Sequence, residues 1–324
     1  MPHIKLPKSL TSRICSSRPN RLFSLVVVLF TILISNNSNA FEQVKTNNKE
    51  RSSITVEQGT FIVEKIGAGK PLILIPGLMS SGKVYTELAA DLSKTYQVHV
   101  VSVKGFAGTP QTGSFSLNQF VGDIVAYIEV AKLNKPSIVG HSMGGLTAFK
   151  LASEHADKIG RVVSIDGLPF IGPIFTRSNA TTADMLKPQA HNMKTMFANM
   201  TAEQMAGTAQ QGVFIQATSE HDQARVVEMA RASDPATAGD ALFDVMLTDL
   251  REPLKRTMTP ILMLGASGAF TQTAQHAQVE ALYAAQFAEV PNATVVMNTK
   301  IRHFMMFDDL AWTGQQIEKF LGSK

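Results

Sequence analysis

Cysteine is nearly absent from this chain: its 324 residues contain one, Cys15. Everything beyond that position lacks a thiol, which excludes disulfides, cysteine nucleophiles and cysteine metal ligands there. Tryptophan occurs once and aromatic residues make up 7%. A surplus of one charge is also missing, although the formal net charge of +4 suggests otherwise. Residues 1–40 carry Lys5, Lys8, Arg13, Arg18 and Arg21 and no acidic residue, leaving 25 basic against 26 acidic side chains. A near-neutral remainder gives no electrostatic case for nucleic acid. No internal repeat or low-complexity tract interrupts the sequence.

What the N-terminus does have is the three parts of an export signal. Basic residues up to Arg21 precede an apolar stretch, Leu22–Ile34, and Ser38-Asn39-Ala40 puts small residues at −3 and −1 of a cleavage site. Thirteen residues are too few to span a bilayer comfortably as a helix, so residues 1–40 are expected to be removed, leaving no stable membrane span, with an uncleaved membrane anchor as the alternative. No twin arginine is present and no cysteine adjoins the cut for lipidation. The mature protein is then exported, periplasmic or secreted, and starts with a polar leader over 41–52. Its 284 residues suffice for one large domain with an insertion.

Short apolar runs follow: Thr55–Val56 and Thr60–Ile66 as a hairpin, then Pro71–Pro76, Tyr96–Val103, Pro136–Val139, Arg161–Ile165, Pro260–Leu264 and Ala293–Met297. Several are continuous rather than alternating, as in strands covered on both faces. Helical patterns separate most of them (Val84–Lys94, Leu117–Leu133, Leu146–His155, Ala274–Phe287), and Trp312–Leu321 closes the chain. This alternation predicts a doubly wound, parallel α/β fold, with its core over 53–167 and 259–324. Residues 168–258 break the pattern. They read as purely helical and hold eight of the 15 methionines, with Met193, Met196, Phe197 and Met200 on one helix face. We read them as a methionine-rich cap. Each methionine taken singly is best read as packing, whereas a pliable thioether surface would suit an apolar substrate.

The most informative segment is Gly140-His141-Ser142-Met143-Gly144, between an apolar run and a helix. A serine flanked by glycines on such a strand-to-helix turn is a nucleophile elbow. Its hydroxyl needs a base, usually a histidine oriented by a carboxylate, and two N–H groups for the oxyanion. Leu78, in Pro76-Gly77-Leu78-Met79 after a strand, and Met143, after the serine, are the expected donors. His303, beyond the last predicted strand, is the expected base. His99 sits in a strand, His141 in the elbow, His155 at a helix end, His191 and His221 in the cap, and His276 on a surface helix.

These segments, with His303-Phe304 and the following Asp308-Asp309, resemble the α/β-hydrolase superfamily, and within it the small capped serine esterases, lactonases and peptidases. The resemblance covers residues 53–324. It implies an eight-stranded, mostly parallel sheet, no cofactor or metal, and a Ser-His-acid triad with Ser142 as nucleophile and His303 as base. A serine at the elbow argues against the dehalogenase and epoxide-hydrolase branches, which place aspartate there. In one respect the chain departs from the family: after the seventh strand it reads Gly265-Ala266-Ser267-Gly268-Ala269, without the acid commonly found there. Asp166, at the end of the preceding strand, is the preferred replacement. Asp308 and Asp309 are alternatives that read better as caps of the last helix. The loop Gly105-Phe106-Ala107-Gly108 is expected to shape a pocket wall.

Taken together these features imply an exported serine hydrolase for an ester or lactone with apolar groups. An amidase or aminopeptidase of the same family, or a non-catalytic ligand-binding protein on the same fold, stays open. The sequence makes no choice of oligomeric state.

Overall fold

The computed structural model describes residues 54–111 and 113–322. The proposed signal (1–40) and leader (41–52) lie outside them. One eight-stranded sheet organises the chain. Its strands are β1 (Ile54–Gln58), β2 (Phe61–Ile66), β3 (Lys70–Ile75), β4 (Tyr96–Val103), β5 (Ser137–His141), β6 (Val162–Ile165), β7 (Ile261–Ala266) and β8 (Ala293–Asn298). They lie in the order β1-β2-β4-β3-β5-β6-β7-β8. The β1–β2 and β2–β4 pairs are antiparallel, and all others are parallel. This is the mostly parallel, doubly wound sheet that the alternation predicts.

The central strands are continuous apolar runs because both faces are covered. Leu72, Ile73, Leu74 and Ile75 of β3 are fully buried, and successive side chains enter opposite layers. On one side Phe120 and Ile124 of α2 (Leu117–Val130), Phe149 of α3 (Met143–Glu154) and Phe287 of α10 (Thr273–Phe287) pack with Ile73 and Ile75. On the other, Leu88 and Leu92 of α1 (Thr86–Leu92), Met305 of α11 (Met305–Asp308) and Ile317 of α12 (Leu310–Gly322) pack with Leu72 and Leu74. Each such side chain contributes roughly 1.5–3 kcal/mol by leaving water.

The helix expected over Val84–Lys94 forms as a 3₁₀ turn, Gly82–Tyr85, followed by α1. The cause is proximity to β4. The Gly82 amide donates to Ser102 Oγ at 2.8 Å, and a Cβ on Gly82 would lie 2.6 Å from Val100 Cγ1.

Between β6 and β7 the chain is helical: α4 (Gly172–Thr176), α5 (Ala183–Ala198), α6 (Ala202–Gln216), α7 (Glu220–Arg231), α8 (Pro235–Leu247) and α9 (Arg251–Leu254). Side-chain caps start four of them, from Thr182, Thr201, Ser219 and Asp234. Met193, Phe197, Met205 and Met246 are buried in the insertion's own apolar cluster, so those methionines pack it. Met196 and Met200 lie against the same cluster, as do Leu78 and Met79 from the loop after β3. The insertion therefore sits on that loop at the C-terminal end of the sheet.

Candidate active site

The turn from β5 into α3 is sharp enough to strain its central residue. Ser142 has φ +53° and ψ −115°, a left-handed conformation that costs a non-glycine residue about 1–3 kcal/mol. Its neighbours over-determine that shape. The Ser142 amide donates to Ile165 O at 2.9 Å, and Ser142 O accepts from Gly145 N at 2.9 Å and Leu146 N at 3.1 Å. Glycine is required on both sides. A Cβ on Gly140 would strike Gly144 O, and one on Gly144 would strike Ile75 O. The result is a half-buried hydroxyl above the sheet, with no hydrogen bond among the described residues.

The loop after β3 lies directly against this turn. A Cβ on Gly77 would be 3.1 Å from Ser142 Cβ and 2.9 Å from His141 Nδ1. Leu78 and Met143 flank that contact, and neither backbone N–H has an acceptor among the described residues. Met79 turns the chain away with φ +56°. Nearby, Ser233 Oγ donates to Met229 O at 2.8 Å and accepts from Ala107 N at 2.9 Å. Gly108 N also reaches Ala232 O (2.8 Å), and Asp234 N reaches Gly105 O (2.7 Å). The Gly105–Gly108 loop is thus a fastening for the insertion.

His303 and Asp166, 137 residues apart, are brought together. His303 Nδ1–H donates to Asp166 Oδ2 at 2.7 Å. Asp166 continues the β6 ladder through its amide to Leu264 O (2.7 Å), then turns with φ +52°. Its side chain is 8% exposed, and that of His303 24%. Asp166 Oδ1 accepts from Ala266 N at 2.8 Å and from Tyr283 Oη at 2.9 Å. Buried carboxylate oxygens need hydrogen-bond donors, and both oxygens of Asp166 have them. Tyr283 and the Ala266 amide were not visible as site groups in the sequence; the small residues at the end of β7 were the only hint.

The alternative carboxylates are occupied elsewhere. Asp309 Oδ1 accepts from Trp312 N at 2.9 Å and caps α12. Asp308 does not cap that helix. It accepts from Thr218 N (2.7 Å), Thr218 Oγ1 (2.8 Å) and Arg302 N (2.7 Å), tying the His303 loop to the insertion. Two backbone bonds strengthen the tie: Phe304 N to Gln216 O at 2.7 Å and His303 N to Ile215 O at 3.3 Å.

Three other histidines have structural partners. His141 is buried, and its Nε2–H donates to His303 O at 3.1 Å. Burial first, then the adjacent His303 imidazole, pushes it well below the ordinary histidine range, so it is neutral. Its ring lies 4.5 Å from that of His303 and 4.4 Å from that of Phe304. His99 Nδ1 meets Tyr127 Oη at 2.7 Å, and His276 Nδ1 meets Ser267 Oγ at 2.8 Å. Among the described residues no group of three or more His, Cys, Asp or Glu side chains is placed to hold a metal, and no helix is long and apolar enough to cross a membrane.

Comparison with known proteins bears on the fold. Residues 70–256 match the family model described as alpha/beta hydrolase fold. A pimeloyl-[acyl-carrier protein] methyl ester esterase from Nitrosomonas europaea is 24% identical over 209 residues, 62% of this chain and 78% of that one. An esterase of the same name from Aeromonas hydrophila is 28% identical over 109 residues, covering 33% and 41% of the two chains. The crystal structure of the enol-lactonase from Burkholderia xenovorans superposes with a TM-score of 0.65 at 19% identity, covering 81% of this chain and 96% of that one.

Proposed function

The chain is a hydrolase belonging to the alpha/beta hydrolase fold family, and from that premise we propose that it is an exported serine hydrolase cleaving an ester or lactone with apolar groups. The observation that carries the reading is the 2.7 Å hydrogen bond from His303 to Asp166, set beside the strained Ser142 turn. Asp166 holds the imidazole with its proton on Nδ1, so Nε2 is left to accept a proton. Ser142 Oγ attacks the acyl carbonyl carbon as Nε2 takes its proton. The Leu78 and Met143 amides, without internal acceptors, receive the oxyanion. The imidazolium then protonates the leaving alkoxide, and water, activated by the same imidazole, releases the acid and regenerates Ser142. Contacts between nucleophile and base commonly tighten only when substrate is bound, so a resting Ser142 hydroxyl without a partner fits this sequence of steps.

The names of two relatives, both methyl ester esterases, support an oxygen ester as substrate. Apolar Leu78 and Met79 follow Gly77, the residue packed against Ser142, and favour an apolar acyl group. The substrate needs no cofactor or metal in this scheme. Export rests on residues 1–40, and the test is the mass of the protein recovered outside the cytoplasm, which should begin at Phe41. For the chemistry, a fluorophosphonate probe should label the folded protein covalently and fail on Ser142→Ala. A panel of acyl nitrophenyl esters, lactones and aminoacyl anilides then ranks the substrate classes. Folded protein that takes up no probe would favour a ligand-binding role instead.

A further inference from the structure

Asp166 is held from a direction that a Ser-His-Asp scheme does not require. Tyr283 lies on α10, the helix that follows the carboxylate-free end of β7, and its hydroxyl reaches across to the aspartate on β6. It can do so because residue 265 is glycine. A Cβ there would lie 2.8 Å from Tyr283 Cδ1 and closer still to Met297 Sδ. Burial above all, and then the Asp166 charge, holds the phenol well above its ordinary range, so it stays a donor. The three donors divide the carboxylate unequally. Ala266 N and Tyr283 Oη share Oδ1, which leaves Oδ2 turned toward His303. Torsion about a carboxylate's last bond is soft, so a second donor on Oδ1 sets the plane of the group.

Resting on the role proposed above for Asp166, we propose that Tyr283 is a positioning residue for hydrolysis: its hydroxyl fixes the Asp166 carboxylate plane and through it the His303 ring, with Gly265 as the vacancy that admits the phenol. It touches no substrate. Where the family commonly carries its acid after β7, this chain carries a brace for an acid on the neighbouring strand.

The test is hydrolysis of p-nitrophenyl butyrate by Tyr283→Phe, which keeps the ring and removes one hydrogen bond to a charged acceptor. kcat should fall about tenfold with KM within about twofold. In an Asp166→Asn background the same change should have less than about twofold effect, followed as the rate of fluorophosphonate labelling where turnover is too slow. A Tyr283→Phe enzyme within twofold of wild type overturns the inference. So does an equal loss in both backgrounds, which marks a general effect on the fold. Should Tyr283→Phe fail to fold, Gly265→Ala, which keeps the hydroxyl and displaces the ring, carries the same two expectations. Full activity in Ser142→Ala would sink the serine mechanism and this inference together, whereas an inert Ser142→Ala beside a silent Tyr283→Phe sinks the inference alone.

Discussion

Replacing Asp166 by asparagine and Asp308 by asparagine should separate two carboxylates that hold the Arg302–His303 segment in different roles. At position 166 the Ala266 amide and the Tyr283 hydroxyl both donate to Oδ1, so an asparagine must place its carbonyl there. Its NH₂ group is then turned toward His303 Nδ1. That nitrogen has to become the acceptor, which moves the imidazole proton to Nε2, where it blocks uptake of the Ser142 proton. In serine proteases the wrong tautomer costs about 10⁴-fold in kcat, or ~5.4 kcal/mol at 1.36 kcal/mol per decade. At position 308 the carboxylate meets three donors, from Thr218 and Arg302, and none of them is on the His303 ring. An asparagine there opposes one of them, for about 1–3 kcal/mol of stability and less than about tenfold in kcat. Nitrophenyl ester hydrolysis and urea midpoints on the two proteins, both shown folded by circular dichroism, decide the matter. A larger loss of kcat in Asp308→Asn than in Asp166→Asn would refute the reasoning.

Ser142→Gly should be inactive yet more stable than Ser142→Ala, because glycine accepts φ +53° freely; relief of about 1–2 kcal/mol, less up to about 1 kcal/mol for the freer unfolded chain, predicts a small rise in Tm. A Tm below that of the alanine variant would argue that the turn is unstrained. Gly144→Val should give no soluble protein, since its side chain would enter the space held by Ile75 O; recovery of active enzyme would contradict the packing of the elbow. Acidification should destabilise the fold. His99 is pushed down to about 4 by burial and then by Lys65, and His141 is lowered by burial. Between the ordinary histidine value of 6.5 and about 4 the unfolded chain binds more protons than the folded one, so stability rises with pH in that window and is lost as pH falls through it. His99→Gln should flatten the dependence of the urea midpoint on pH between those values; an unchanged slope would remove His99 from the account.

The sheet was legible because central parallel strands covered on both faces are apolar throughout, as Leu72–Ile75 is. The elbow was legible because Gly140 and Gly144 admit no substitute once the turn is that tight. Asp166 could be singled out from chain order and from the missing carboxylate after β7. The rest depends on distances that no local pattern encodes. Tyr283 reads as one more apolar-face residue of α10, and its role appears only when Gly265 opens the way to the next strand. Asp308 looks like a helix cap in sequence, but folding brings Thr218 to it across 90 residues. Met193, Met196 and Phe197 do share α5, but that helix ends at Ala198, before Met200, and the spacing did not reveal that Met193, Met205 and Met246 face the insertion's own interior.

The backbone bonds that the His303 and Phe304 amides donate to Ile215 O and Gln216 O make the insertion and the His303 loop parts of one mechanical piece. A chimaera that exchanges only the helices between β6 and β7 for those of a related enzyme would leave both amides facing foreign carbonyls, and the imidazole would lose its footing. Any graft intended to change substrate choice must therefore carry the Arg302–Asp308 stretch with it.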